Sequence, residues 1–448
     1  MKFSIYNHIF DFEGKVFLYN TLTTALVNLD SNISRVVQNS DIDRLSAETV
    51  TAFKNLGFAV ESSMDERQAY KYFYDRTRYG MSSPVLHFTF IPTYACNLAC
   101  PYCLQGGNKN IKKIDKKGID AILSFIRQKS SHPKDQTCPE KMFITLYGGE
   151  PMIAKHELEM FCEGVSTIAS ETNLPVEFDM TTNLTLLDED MINLIRTYKI
   201  HIQASIDGTK ELHDKRRIKA DGSGTYDIIL YNLQKLVDYG LRNQITIRLN
   251  VDRESMSEAG TTFEEMIKYS DDVYFAFLTP YKGVNDVYEE KCVTPDCYSA
   301  MAVQNFNKIL VKYGRSVAQP FGKKSPCAIN CENKYWIDCN LDVYKCELLV
   351  KLPECRVGYL TENGTFEVEA NFYKQMCFSP FDCGKCRDCK MLPMCGGGCP
   401  ATAYLDTGIR NGDVSGCQCT MDNKSLTDYL IDYIKRSEQL TTAETNKE

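Results

Sequence analysis

Apolar and polar positions alternate from Lys2 to Phe10 and again from Val16 to Asn20, on either side of a Glu13-Gly14 turn, which is the period-two pattern of strands. Helical spacing follows over Thr21 to Val37 and Ser46 to Asn55, and Gly57 to Val60 reads as a returning strand. A charged, Tyr-rich stretch from Asp65 to Arg78 closes this segment and predicts a boundary near Tyr79. Beyond it apolar runs recur at Val85 to Ile91, Phe143 to Leu146, Val176 to Met180, Ile200 to Ile206, Ile245 to Val251 and Val273 to Leu278. Helix-period segments separate them: Lys116 to Gln128, Glu157 to Thr172, Glu189 to Tyr198, Tyr226 to Tyr239 and Thr262 to Tyr269. Six such runs predict a parallel sheet or partial barrel with its chemistry at the strand C-termini. No internal repeat or low-complexity run interrupts the chain, and the polar tail after Ser437 is expected to fray.

At 448 residues the chain has room for about three domains. Its Lys plus Arg count of 51 against 59 for Asp plus Glu leaves a charge of -8, which argues against nucleic acid as a partner. No apolar run reaches the roughly 18 residues that span a bilayer. Acidic residues also stand in Met1 to Lys15, where a secretory signal keeps an apolar core. A cytoplasmic protein with no membrane partner is therefore expected.

Cysteine changes the picture. There are 20, against six histidines, and cytosolic thiols stay reduced, so clustered cysteines point to metal rather than to disulfides. None occurs between Met1 and Ala95; Cys96, Cys100 and Cys103 then fall within eight residues, and thirteen more crowd into Cys327 to Cys419. Three thiolates at the end of the first run can wrap one centre, and a cubane held by three cysteines leaves one iron open. A zinc site or merely buried thiols is the bland alternative.

The Cys96-x3-Cys100-x2-Cys103 spacing, with Tyr102 before the last Cys, resembles the radical S-adenosylmethionine (SAM) superfamily. Gly148-Gly149-Glu150-Pro151 after the second run resembles the element that holds the SAM amino group in that family. Met180-Thr-Thr-Asn183 and Ser205-Ile-Asp207-Gly208 end the third and fourth runs and look like its SAM and ribose contacts. His213-Asp-Lys-Arg-Arg217 matches the HDxxR pattern, with Arg217 toward the SAM carboxylate and Arg248 a weaker candidate; the alternative is a solvated charge run.

Cys386-x2-Cys389-x5-Cys395-x3-Cys399, ending in Gly396-Gly-Gly-Cys-Pro400, resembles the SPASM extension, which implies two auxiliary 4Fe-4S clusters. The upstream half fits with Cys331 and Cys346, but Leu341 stands where that pattern has glycine, so a differently built turn is expected. The resemblance implies Cys327, Cys331, Cys346 and Cys399 for one auxiliary cluster and Cys386, Cys389, Cys395 and Cys417 for the other. Cys327 and Cys331 both fit their window, and Cys419 competes with Cys417. Cys138, Cys162, Cys292, Cys297, Cys339, Cys355, Cys377 and Cys383 receive no role.

The N-terminal segment resembles the winged-helix, PqqD-like domain that captures leader peptides by strand addition; a scaffold cap is the bland reading. The implied organisation is a peptide-recognition domain at 1–79, a partial (β/α)6 TIM barrel at 80–315, a SPASM domain at 316–425 and a C-terminal helix with frayed tail at 426–448. The implied function is maturation of a ribosomally synthesised peptide. A 5'-deoxyadenosyl radical would abstract hydrogen and an intramolecular crosslink would follow, thioether first and carbon-carbon next. Three 4Fe-4S clusters, SAM, a leader-bearing precursor peptide and a flavodoxin- or ferredoxin-type reductant are the expected cofactors and partners. An anaerobic sulfatase maturase, which forms formylglycine and generally lacks the N-terminal domain, is the nearest rival. A non-catalytic iron-sulfur or zinc scaffold is the rival of another class.

Overall fold

The computed structural model describes residues 1–79, 85–105, 112–131, 139–278, 286–293, 309, 312–313, 326–350, 352–407 and 422–445. The chain divides into two compact units, one of residues 1–78, 295–327 and 378–448, the other of residues 79–294 and 328–377.

In the first unit, strands β1 (Lys2–Phe3), β2 (Asn7–Phe12), β3 (Lys15–Asn20), β4 (Leu26–Leu29) and β5 (Ala59–Val60) form two small antiparallel sheets, ordered β2-β3-β4 and β1-β5. Helices α1 (Ser31–Gln38), α2 (Ala47–Leu56) and α3 (Glu66–Arg78) follow the sheet. The helix expected over Thr21 to Val37 is instead a turn, β4 and α1. The Asn20 amide explains the break: it donates to Asn7 Oδ1 and Gly57 O and accepts from the Leu22 and Thr23 amides, so local side-chain bonds replace a helical turn. The Asp65 to Arg78 stretch, expected only to end a domain, is helix α3. Its buried Tyr70 and Tyr74 pack with Tyr6 against Phe381, Cys383, Cys386 and Leu392. The helix Asn423–Thr445, which runs past Ser437, lays Leu426, Leu430 and Ile434 against Phe10, Phe17 and Tyr19. Residues 1–78 are thus built into the same core as the C-terminal cysteine segment.

The second unit is organised on a ten-stranded sheet. Strands β6 (Val85–Ile91), β7 (Lys141–Leu146), β8 (Val176–Thr182), β9 (His201–Ile206), β10 (Ile245–Val251) and β11 (Asp272–Phe277) lie parallel and in sequence order, as the six apolar runs predict. Beyond β6 the sheet continues through β12 (Lys334–Asp338), parallel to β6, then antiparallel β13 (Asp342–Tyr344), β14 (Gly358–Leu360) and β15 (Phe366–Val368). Helices α4 (Lys116–Ser130), α5 (Lys155–Thr172), α6 (Glu189–Tyr198), α7 (Lys210–Arg216), α8 (Tyr226–Asp238) and α9 (Ala259–Met266) alternate with the strands. Apolar side chains of alternate strand positions meet these helices: Phe88 packs edge-on against Phe125 of α4, and Phe90 stacks on Phe161 of α5 at 4.0 Å. The opposite positions are polar: Thr181 on β8, Gln203 and Ser205 on β9, Arg248 and Asn250 on β10. Among the described residues no helix is long and apolar enough to cross a membrane.

Candidate functional site

Four backbone segments at the C-terminal ends of β6 to β9 meet around one cavity. The loop after β6 carries Cys96, Cys100 and Cys103, and the turn after β7 clasps it: Gly149 N donates to Thr93 O at 3.1 Å and Glu150 N to Ala95 O at 2.9 Å. Glycine is required by this clasp, because a Cβ on Gly149 would stand 2.3 Å from the Tyr94 and Ala95 carbonyl oxygens. Gly148, at φ +146°, would likewise meet Thr93 O at 2.4 Å. Glu150 is fully buried, and both its carboxylate oxygens are engaged, by Met152 N at 3.0 Å, Thr182 Oγ1 at 2.7 Å and Asn183 N at 2.7 Å. The first turn after it contains buried Pro151. Glu150 therefore locks the ends of β7 and β8 together.

From β8, Asn183 donates through Nδ2 to Asn97 Oδ1 at 2.9 Å and to Cys96 Sγ at 3.8 Å, while Leu98 N also donates to Cys96 Sγ at 3.4 Å. Donors aimed at sulfur favour a thiolate. From β9, fully buried Asp207 accepts from Tyr102 Oη and, at 3.0 Å, from Asn250 Nδ2. Arg217 donates through Nη1 to Tyr102 Oη at 3.0 Å and stands 3.7 Å from Asp207 Oδ1. Against the cost of burial, Tyr102, Cys100 and Asp207 hold the Arg217 guanidinium above its ordinary value. Its Nε is buried without a partner. Burial pushes the Cys100 thiol up to about 12, with Arg217 opposing, so ligation of metal there has to displace a proton.

The His213 to Arg217 segment is not a solvated charge run. His213, Arg216 and Arg217 are all buried. Asp207 N donates to His213 Nδ1 at 3.3 Å, which leaves the ring proton on Nε2 facing Thr225 Oγ1 at 3.1 Å. Arg216 pairs with Asp252 at 2.7 Å, and Asp214 accepts from the Thr225 and Tyr226 amides at the start of α8.

Cys96, Cys100, Tyr102, Cys103, Gly148, Gly149, Asn183, Ser205 and Arg217 all line the cavity, as does Arg248. Glu150, Pro151 and Asp207 are not among its lining residues and support the wall from behind. The lining also includes Gln203, Asn250 and Glu347, none of which the motifs singled out. Polar residues at every second position of otherwise apolar runs, as in Ile245-Thr-Ile-Arg-Leu-Asn250, are the signal that finds the first two. Glu347 has no such signal. Burial raises its carboxyl above the usual range, with Arg248 opposing.

Of the second cysteine block, Cys386, Cys389, Cys395 and Cys399 lie in the first unit and Cys331 and Cys346 in the second, with Cys327 in the first. Cys389 Sγ accepts from Met391 N at 3.4 Å, and Gly396, Gly397 and Gly398 are three successive left-handed residues before Cys399. In the second unit the β12–β13 register pairs Trp336 with Tyr344. Cys331 precedes β12 and Cys346 follows β13, so both lie toward the end of the hairpin opposite its turn. Leu341 takes φ +68°, in the left-handed region that glycine enters without penalty. Cys162, Cys292, Cys339, Cys355 and Cys383 are buried and Cys377 is exposed. Cys138, Cys297, Cys417 and Cys419 lie outside the described residues. Among the described residues no three His, Cys, Asp or Glu side chains converge tightly enough to share one ion. A four-iron cluster does not ask that of them, since each iron takes its own thiolate. Three thiols on one cavity, with donors on sulfur and an unpartnered guanidinium nitrogen, fit such a cluster with a carboxylate-bearing ligand beside it.

Residues 90–266 match the family model of the radical SAM superfamily. A cysteine-type anaerobic sulfatase-maturating enzyme of Clostridium novyi is 24% identical over 326 residues, covering 68% of this chain and 84% of the relative. The structure of anSMEcpe with bound AdoMet superposes with a TM-score of 0.58 at 17% identity, over 82% of this chain and all of that one. That of Streptococcus suis SuiB bound to S-adenosylmethionine gives 0.53 at 15% identity, over 93% of this chain and all of that one.

Proposed function

We propose that this chain, which carries a radical SAM domain, is a maturase that crosslinks a ribosomally made precursor peptide. The observation that carries this reading is the three-thiol cavity walled by Tyr102, Asn183, Ser205 and Arg217 in a chain that also contains the small β2-β3-β4 sheet. When bound, a SAM-ligated 4Fe-4S cluster supplies one-electron cleavage of SAM to a 5'-deoxyadenosyl radical. Cys96, Cys100 and Cys103 hold that cluster. Arg217 Nε takes the SAM carboxylate, and the bond from Tyr102 keeps the guanidinium aimed. Glu347, facing the cavity beside Arg248, accepts the proton that substrate loses as its new bond closes. Substrate seated over the cavity would have to exclude water from the radical. Cys327, Cys331, Cys346 and Cys399, and Cys386, Cys389, Cys395 and Cys417, would hold two auxiliary clusters able to accept the electron that substrate gives up, and a flavodoxin- or ferredoxin-type protein would be the reductant.

The leader binds by strand addition at β4, whose described partner is β3 alone. Asn20 N donates to Ala25 O at 2.9 Å, so the alternation of an antiparallel ladder turns the N–H and C=O of Leu26 and Asn28 away from β3, toward the open edge. SuiB, whose likeness extends over 93% of this chain, has also been solved with its precursor peptide SuiA. Thioether formation is the favoured crosslink and a carbon-carbon bond the next.

The sulfatase-maturase reading stands second because of the 24% identical Clostridium relative. Anaerobic assays with a leader-bearing Cys peptide and a short sulfatase-type peptide separate the two: loss of two hydrogens from the first supports crosslinking, and formylglycine on the second supports the rival.

A further inference from the structure

Gln105 lines the cavity and is 6% exposed, yet neither atom of its side-chain amide completes a hydrogen bond among the described residues. A buried polar group in that state costs free energy until a ligand answers it. The Tyr147 phenol stands beside the amide, and Arg248 and Glu347 are within electrostatic reach of that phenol. Of Arg248 only Nε is bonded among the described residues, to Asn250 Oδ1 at 3.0 Å, so its outer nitrogens are also open to a ligand. None of the SAM contacts proposed above uses Gln105, which follows Cys103 by two residues.

A primary amide offers a donor, Nε2, and an acceptor, Oε1, side by side. A peptide bond returns an acceptor and a donor, whereas a carboxylate or an ammonium group would answer only one of the two atoms. We propose that Gln105 is a substrate-contact residue that binds a backbone amide of the peptide to be modified, Nε2 donating to its carbonyl and Oε1 accepting from its N–H, with Arg248 donating to a neighbouring carbonyl. The proposal rests on the peptide-maturase reading. A grip on backbone holds the reacting residue over the cavity whatever its side chain, so the site fixes position and leaves the choice of side chain to other contacts.

Trp336, the chain's single tryptophan, packs edge-on against Tyr147 with ring centres 5.4 Å apart. Replaced by 5-fluorotryptophan in the full, anaerobically reconstituted chain with SAM added, it gives one fluorine resonance next to Tyr147. Titration with N-acetylglycine N-methylamide, a minimal peptide backbone, should shift that resonance saturably. Methyl acetoxyacetate, its ester twin without N–H groups, should bind about tenfold more weakly. In Gln105→Leu the diamide should also weaken about tenfold and lose its advantage over the ester, while SAM affinity and iron content hold. An advantage that survives in the variant overturns the proposal, as does a wild type without a saturable shift. Loss of SAM affinity in the variant gives the amide to SAM itself and overturns it too. Where Gln105→Leu fails to fold, Gln105→Glu keeps the shape and the acceptor but lacks the donor; it should bind both probes more weakly and still favour the diamide, and wild-type affinities in it overturn the proposal. A wild type that favours the diamide but modifies neither the leader-bearing Cys peptide nor the sulfatase-type peptide fails the maturase reading and leaves the amide site standing. Modification of either peptide by a wild type indifferent to the two probes fails the site alone.

Discussion

Tyr94 Oη donates to Asp338 Oδ2 at 2.8 Å, and both side chains are buried. Tyr94 stands two residues before Cys96, and Asp338 ends β12, where its other oxygen caps the turn by accepting from Asn340 N and Asp342 N. The bond therefore ties the loop of the first cysteine motif to the hairpin that leads to Cys346 and Glu347. Tyr94→Phe leaves a buried carboxylate oxygen without its donor, at a cost of about 1 to 3 kcal/mol. Urea denaturation of the variant should show that loss while the iron content holds; an unchanged midpoint would mean that the bond contributes nothing net.

Arg217 and Glu150 separate two roles that the motifs alone assign together. Arg217→Met removes the unpartnered Nε and the bond to Tyr102, and a lost charge-assisted contact is worth about 1.5 to 3 kcal/mol. SAM affinity should fall about tenfold to a hundredfold with iron retained. Glu150→Ala instead strips three donors of their acceptor, so it should lower the stability of the whole unit along with SAM binding. Isothermal titration with SAM beside a melting curve tells the two variants apart, and normal SAM affinity in the Arg217 variant would refute its assignment.

The six parallel strands were legible because each is a short, apolar or alternating run between helix-period segments, and the motifs fell at their ends. The N-terminal helix boundaries were not, because the Asn20 side chain decides them through contacts with Asn7 and Gly57 that no local pattern announces. Glu347 was missed for a similar reason: a charged residue beside a cysteine reads as surface until the fold brings it to the cavity.

Leu341 at φ +68° carries strain that glycine would not. A left-handed residue with a side chain costs about 1 to 2 kcal/mol, against about 0.5 to 1 kcal/mol of extra chain entropy for glycine. Leu341→Gly should therefore raise unfolding free energy by up to about 1 kcal/mol, with auxiliary iron unchanged. A destabilised variant would show that packing of the leucine outweighs the strain.

Burial lowers three histidines, His8, His87 and His213, to about 4 each. Above pH 6.5 these rings are neutral both folded and unfolded and contribute no pH dependence. As pH falls from 6.5 toward 4 the unfolded chain binds protons that the folded one refuses, so stability drops by about 1.4 kcal/mol per pH unit for each ring. Melting curves across that window should slope downward with acid, and His213→Gln should reduce the slope. A flat profile would contradict the buried neutral rings.

The leader-binding reading requires a test that spares the cysteine segment. Deleting residues 1–78 removes Tyr6, Tyr70 and Tyr74 from around Cys383 and Cys386, so truncation should cost iron as well as peptide recognition. Asn28→Pro is cleaner. Asn28 is exposed on β4, its N–H faces the open edge, and proline at such a position removes one donor without breaking the ladder to β3. The variant should keep its iron and its unproductive release of deoxyadenosine while turnover of a leader-bearing Cys peptide falls, and a leaderless peptide should be processed equally slowly by both proteins. Equal turnover of the leader-bearing peptide by wild type and Asn28→Pro would remove β4 from recognition. Equal turnover of both peptides by the wild type would reduce the whole N-terminal sheet to a scaffold.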